Sequence, residues 1–511
     1  MWRPVKGDVC RLNMEIRPFC GIRYSKKIVG DLASVICPPY DVITPETQKC
    51  YYQRSNYNII RLEYPCPENP ELVSGSGLQP TEYPELVSGY KKAAAIFREW
   101  LERGILKFDD IPAFYLHDYY FTYLGVEKRR RGLIACLRLA PWGSGIYPHE
   151  ETSLRDKSDR LQLMRACQAN FSPLFCLYQD PEKEITSILS EAAQSNPIIS
   201  SPLTGEDEGE GDQRHIVWAI TESKLQQRLS ALSHQVSPVI MADGHHRYET
   251  ALIYQQERTR LSPKSGSSQA FNYVMVSLVE FSDPGLFIFP VHRLVRSIKP
   301  LSHPSTDKVG GGEGLPLSRL INRLEDFFTL EFIPLVPRQI RWEVRRASSL
   351  NASIISSSRV CLSSRPSPDK VGGGEGLLSN RPERSEGSLG VLGLKHGYLA
   401  LLRERQNVSL IDMLPANRSQ VYQKFDISIL NHVILDKILG LSIEEGNIAY
   451  TADAAEAQQR VESGECQLAF LVNPPQTKTI KAVVDAGDRM PRKSTYFYPK
   501  MPAGLIINSL D

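Results

Sequence analysis

No apolar run in this 511-residue chain approaches the roughly 18–20 residues that a membrane-spanning helix needs. The opening residues, MWRPVKGDVCRLNMEIRPF, also lack the apolar core of a secretory signal. The expected location is the cytoplasm, with no membrane partner. Charge of one sign is lacking too. There are 60 Lys and Arg against 58 Asp and Glu, a formal net charge of +2, which argues against a broad basic face for nucleic acid. The ten cysteines include no Cys-x-x-C pair and no His/Cys cluster at zinc-ligand spacing, so neither a redox pair nor a structural zinc is indicated. The thiols read as mostly buried. No G-x-S-x-G elbow, no G-x-G-x-x-G after a strand and no G-x-x-x-x-G-K-[ST] loop occurs.

What is present is a 41% hydrophobic composition, enough for real cores and for roughly two to four domains at about 100–200 residues each. Short repeats stand out. PELVSG occurs at Pro70–Gly75 and Pro84–Gly89, and DKVGGGEGL at Asp307–Leu315 and Asp369–Leu377. These copies are poor in core residues and recur at no fixed period, unlike solenoid repeats, and read as inserted surface loops. A phosphate-cradling role for GGGEG lacks the Lys-Ser/Thr that should follow it. The expected division is an added extension at 1–13, since Met14 opens a more structured stretch, and an α/β core over 14–300 with inserts near 66–89 and 203–212. An inserted loop at 303–317 and a C-terminal α/β region over 318–511, with an insert near 365–390, complete it.

Spacing predicts helices over Tyr90–Arg103, where Tyr90, Ala94, Phe97 and Leu101 share a face, and over Tyr248–Arg260, Leu320–Phe328 and Ile427–Leu439. Strands are predicted at Phe114–Tyr123 and Arg131–Leu139, joined by a hairpin near Gly125, and at Val239–Ala242, Tyr273–Val279 and Leu286–Val295. The fold class is mixed α/β (α+β).

The strongest motif is Asp243-Gly244-His245-His246-Arg247, set between an apolar run and a helix-like stretch. The first amides of a helix have no internal partner and attract anions. Gly244 permits close approach or positive φ, and Arg247 and the two imidazoles offer donors for phosphate oxygens. Asp243 either caps the helix or holds Mg²⁺ or a substrate hydroxyl. The structural alternative is a capping Asp with solvent-facing histidines. A second cluster, His149-Glu150-Glu151, fits a general base or a magnesium ligand, or equally a polar helix start. Arg160, Arg165 and Asn170 read as phosphate ligands or surface partners. Pro38-Pro39 stiffens the segment bearing Tyr40 and Asp41, which suits either substrate positioning or a structural turn. The stretch Asn58–Arg61 reads as the end of a strand. The run Arg489–Lys500 holds four cations and three aromatics and reads as a tail covering the active site or as a packed terminal strand.

The blocks MEIRPF at Met14–Phe19, PPYDV at Pro38–Val42, NIIRL at Asn58–Leu62, HEET at His149–Thr152, ANFSP at Ala169–Pro173, ADGHHRYETA at Ala242–Ala251 and KSTYFYPK at Lys493–Lys500 together resemble the DUF1015 family of bacterial and archaeal proteins. The Asp243–Arg247 turn is similar to the phosphate-binding turn of the ParB/sulfiredoxin superfamily, which includes CTP-binding ParB, ATP-using sulfiredoxin and free serine kinases. This resemblance implies a ParB/sulfiredoxin-like nucleotide-binding core with added α/β elements. It implies a phosphotransferase using Mg²⁺ and a nucleotide, ADP or ATP, on a small hydroxylated metabolite such as free serine or phosphoserine. Asp243, His246 and Glu150 would be catalytic, and Asp243 and Glu150 would hold the metal. Gly244, His245, Arg247, Arg165 and Asn170 would bind phosphates, with Tyr40, Asp41 and His149 positioning substrate. A His where sulfiredoxin has Cys speaks against sulfinic-acid reduction. No clear helix-turn-helix follows the turn, which speaks against ParB-type DNA partition. The alternative function is a nucleotide-binding regulator without transfer chemistry.

Overall fold

The computed structural model describes residues 14–65, 84–151, 157–203, 213–236, 238–262, 266, 268–298, 317–335, 389–405, 407–442 and 446–511. The chain divides into two compact units. One runs to Phe287 and takes back the segment Phe497–Asp511; the other spans Ile288–Tyr496. Helices and sheets occur in both, so the class is mixed α/β.

A nine-stranded sheet organises the first unit. From one edge its order is Ile146–Pro148, Val239–Asp243, Leu174–Tyr178, Tyr273–Glu280, Val126–Arg138, Phe114–Tyr123, Gln213–Ile220 and Ile199–Leu203, with Ile16–Arg17 also paired to Val126–Arg138. Val239–Asp243 runs parallel to Ile146–Pro148, and Tyr273–Glu280 parallel to Leu174–Tyr178; the other neighbours are antiparallel. The hairpin near Gly125 forms as expected. Leu124 and Gly125 both take positive φ, the twist a two-residue hairpin turn needs.

Residue alternation divides the packing between the two faces of the sheet. Phe114 and Leu116 enter a core with Ile16, Leu133, Ala135 and Tyr248, while Tyr115 joins Phe19, Ile134, Met275 and Ile506 in another. A third core gathers Ile22, Ile59 and Leu62 against Phe97 and Trp100 of the helix Pro84–Glu102. Burying a side chain such as Phe97 is worth roughly 1.5–3 kcal/mol. The C-terminal segment is woven into this unit. Ala503 N donates to Cys37 O at 2.8 Å, Gly504 N to Phe171 O at 2.9 Å, and Ile507 exchanges backbone bonds with Ile22.

The second unit holds a six-stranded, wholly antiparallel sheet ordered Phe328–Pro334, Tyr398–Glu404, Leu389–Leu392, Leu468–Leu471, His292–Val295 and Ile448–Thr451. Leu294, Leu399, Leu401, Ala469 and Leu471 form its core with residues of the helix Ala454–Glu462.

Four segments depart from the spacing-based expectation. The helix placed at Tyr90 begins at Pro84, so the second PELVSG copy forms its first turns, in keeping with proline's fitness for a helix start. The helix expected to reach Phe328 spans Leu317–Glu325, and Phe328 opens a strand. Leu286–Val295 splits into Phe287–Phe289 and His292–Val295 around Pro290, which has no N–H to give a ladder. Ile427–Leu439 is helical but becomes a π-helix over Ile429–Ile438. The extension at 1–13 and most of the expected inserts, namely 66–83, 204–212, 303–316 and 365–388, lie outside the described residues.

Five of the seven described cysteines are buried, and all seven are free thiols. No helix among the described residues is long and apolar enough to cross a membrane.

Candidate functional site

The strand Val239–Asp243 is buried along its apolar length and ends in a register shift between Met241 and Asp243. Gly244 follows at φ 91° and ψ 25°, a left-handed conformation that glycine alone adopts without penalty. A Cβ there would also stand 2.7 Å from Leu174 Cδ2 and 3.1 Å from Arg247 Nη2. The 17-residue helix His245–Leu261 starts at once, with Gly244 as its cap residue, which has no side chain to bond the first amides. Asp243 therefore does not serve as the cap. Its carboxylate is engaged elsewhere.

Asp243 Oδ1 accepts from Lys500 Nζ at 2.6 Å, and Oδ2 from Arg247 Nη2 at 3.2 Å. Burial alone would raise its pKa, but the Lys500 ammonium and the Arg247 guanidinium overcome that and hold it at about 2. Arg247 turns inward. Its Nη1 donates to Ser172 Oγ at 2.7 Å and to Pro173 O at 3.2 Å. Burial works against its charge, and Asp243, Asp41 and Glu63 more than compensate, raising its pKa.

Ser172 Oγ in turn donates to Glu63 Oε1 at 3.0 Å, and Glu63 O accepts from Arg160 Nη1 at 2.6 Å. Burial pushes the Glu63 carboxyl up, against the pull of Arg160 and Arg247. Arg160 pairs with Asp159, and its guanidinium carbon lies 4.1 Å from the centre of the Tyr40 ring. Asp41, on the same short 3₁₀ turn as Tyr40, has Oδ2 3.9 Å from Lys500 Nζ. A cavity of about 40 Å³ lies among Glu63, Arg160, Asn170, Ser172 and Arg247.

A histidine pair flanks this cluster. His149, buried after the strand Ile146–Pro148, donates from Nδ1 to Met241 O at 2.6 Å. That bond turns Nε2 toward Glu150 Oε1, 3.3 Å away. The His245 ring lies 4.9 Å from His149, and Phe497 meets His149 edge-on at 5.5 Å. Burial, followed by the neighbouring His149, depresses the His245 pKa to about 3. His245 thus offers a neutral imidazole, not a cation, and its Nε2 has no partner among the described residues. His246 sits partly buried in the first turn.

Residues 16–309 match the model of a family described as "Protein of unknown function (DUF1015)". The chain belongs to the DUF1015 family. Among solved structures, this DUF1015 chain is similar to a conserved hypothetical protein from Pyrococcus furiosus, at 12% identity and a TM-score of 0.29, over 72% of this chain and 92% of that one. A mutant free serine kinase in complex with AMP also matches at 12% identity and a TM-score of 0.29, over 76% of this chain and 90% of that one. A free serine kinase in complex with AMP matches at 12% identity and a TM-score of 0.27, over 69% of this chain and 83% of that one. No curated protein matches the sequence.

The DUF1015 fold thus brings Tyr40, Asp41, His149, Glu150, Asp243, Gly244, His245, His246 and Arg247 into one unit, tied by the contacts above. Two expected phosphate ligands are engaged differently. Arg165 lies on the surface and pairs with Glu257, Nε to Oε2 at 3.0 Å. Asn170 lines the small cavity, but its Oδ1 accepts from Met275 N and Asn508 Nδ2, both at 3.1 Å, so it clamps strands and the tail. Both oxygens of Asp243 face cations, and no group of three His, Cys, Asp or Glu converges among the described residues.

Sequence reasoning passed over Glu63, Ser172 and Lys500 as site residues. Glu63 ends the single helical turn Ile60–Glu63, which begins inside the stretch Asn58–Arg61 read as the end of a strand. Lys500 lies in the cationic, aromatic run read as a covering tail or a packed terminal strand, in which Tyr496–Tyr498 forms a strand and Phe497 meets His149 edge-on.

Proposed function

We propose that this protein is a nucleotide-dependent phosphotransferase acting on a small hydroxylated metabolite, free serine or phosphoserine, in the cytoplasm. One observation carries the reading. The Asp243-Gly244 turn opens a helix whose cap residue has no side chain to bond its amides, beside charged groups drawn from four separate stretches of sequence. A helix start and its dipole suit a phosphate, and phosphoryl transfer depends chiefly on positioning and a fixed positive field. The resemblance of the turn to the ParB/sulfiredoxin superfamily supports the finer assignment of the core and of the acceptor.

In this reading the amides of the first turn, the His246 ring and the field of Arg247 receive the phosphates of ADP or ATP. Mg²⁺ enters bound to the nucleotide, as part of the substrate. Because His149 spends its Nδ1 proton on Met241 O, a single proton fits between Nε2 and Glu150 Oε1. That position is where a general base would store the proton taken from the acceptor. The acceptor oxygen forms its bond to phosphorus as its proton passes to Glu150, and the nucleotide leaves with the electrons of the broken P–O bond. The extension at 1–13 and the glycine-rich copies at 307–315 and 369–377 are additions to this core, and excising the copies is expected to leave binding intact.

The test combines nucleotide titration by thermal shift with detection of phosphorylated product from a panel of hydroxylated amino acids. Glu150→Gln should bind nucleotide and lose turnover; His246→Ala should lose both. Wild-type protein that is stabilised by nucleotide yet forms no product overturns transfer chemistry and leaves the regulator.

A further inference from the structure

We propose that Lys500 is the residue that grips the terminal phosphate of the nucleotide, leaving Asp243 for the ligand as it does so. The inference rests on the phosphotransferase reading and names a residue outside the Asp243–Arg247 turn. Lys500 Nζ lies between two carboxylates, 2.6 Å from Asp243 Oδ1 and 3.9 Å from Asp41 Oδ2. Its side chain is only 12% exposed, so its charge acts in a medium that screens poorly. Asp243 immediately precedes Gly244, so Lys500 is bonded to the residue next to the helix cap.

The two cations on Asp243 differ in shape. Arg247 is a planar guanidinium fixed by three acceptors, Ser172 Oγ, Pro173 O and Asp243 Oδ2. Lys500 is a compact charge on a flexible four-carbon stem that can turn from one oxygen to another. Its backbone, in contrast, is held. The buried Arg130 donates from Nη1 to Pro499 O at 2.6 Å and places Nη2 3.1 Å from Met501 Sδ, so one guanidinium fastens both neighbours of Lys500. Phe497 is packed on His149 and Phe175, and Tyr498 on Phe121. A held backbone that carries a flexible four-carbon stem is the arrangement a phosphate-gripping lysine needs. When the ammonium swings to a phosphate, Asp243 keeps Arg247 and gains a free oxygen for the metal of the incoming nucleotide or for the acceptor hydroxyl.

The experiment compares Lys500→Gln and Lys500→Arg with wild type, measuring the affinities for AMP, ADP and ATP and the melting temperature without ligand. Loss of a charge-assisted phosphate contact is expected to weaken ADP and ATP binding by roughly tenfold to a hundredfold, with AMP affected far less. Lys500→Arg should recover most of that loss. A merely structural ion pair predicts a lowered melting temperature and an equal loss for all three nucleotides, and that outcome overturns the inference while leaving the phosphotransferase reading intact. Wild-type protein that binds none of the three overturns both. Should Lys500→Gln fail to fold, equal affinity of Lys500→Arg and Lys500→Met for ATP would refute the proposal equally well.

Discussion

Lys500 Nζ donates to Asp243 Oδ1 at 2.6 Å across 257 positions of sequence. The pair, with Arg247 on the other oxygen, holds the Asp243 carboxyl at about 2, below its ordinary 3.8. A depressed carboxyl pKa adds stability that is present above the unfolded value and is lost as pH falls through the folded one. Asp243 should therefore contribute about 2 kcal/mol at neutral pH, fading between pH 4 and about 2. Denaturant unfolding of wild type and Asp243→Asn across that range measures it, and the two should converge at the acid end.

His245 predicts an effect at milder acidity. Its folded pKa of about 3 lies below the ordinary 6.5, so the unfolded chain binds the proton first. Stability should fall as pH drops below about 6.5. His245→Gln should flatten the fall in melting temperature between pH 7 and pH 5, although His215 and His292, likewise depressed by burial, retain their share.

Gly244→Ala should destabilise the protein by about 1–3 kcal/mol through left-handed strain. Contact of the new Cβ with Leu174 Cδ2 at 2.7 Å adds to this cost. The midpoint of denaturant unfolding reads the change. A shift below 0.5 kcal/mol would mean that the turn relaxes out of its present φ.

Glu63 and Arg165 make a contrasting pair. Glu63→Ala removes the carboxylate that accepts from the buried Ser172 hydroxyl and should cost about 1–3 kcal/mol. Arg165→Ala removes an exposed pair with Glu257, worth about 0–1 kcal/mol. Nucleotide affinity should survive the Arg165 change, and a marked loss would return Arg165 to the site.

Local pattern made the strand, turn and helix around Asp243 legible, because four apolar residues, an Asp-Gly step and a helical face at Tyr248 and Ala251 are all short-range signals. Phe114–Tyr123 was legible in the same way. Pattern failed where tertiary pairing decides. Phe328 continues the four-residue spacing of Leu320 and Leu324, yet it pairs with Glu404 in a sheet. Ile60–Glu63 is a single turn, too short to display any period. Ile429–Ile438 widens to a π-helix, whose bonding differs from the α period assumed in reading spacing. For Lys500 the residue type was visible, but its partner depends on where the tail returns, and spacing within a window carries nothing about that.

The return of Phe497–Asp511 to the first unit has a bearing on biosynthesis. A ribosome must finish all of Ile288–Tyr496 before Lys500 emerges, and until then Asp243 lacks one of its two counter-charges. Polypeptides halted anywhere in that stretch would lack the bond between Lys500 and Asp243.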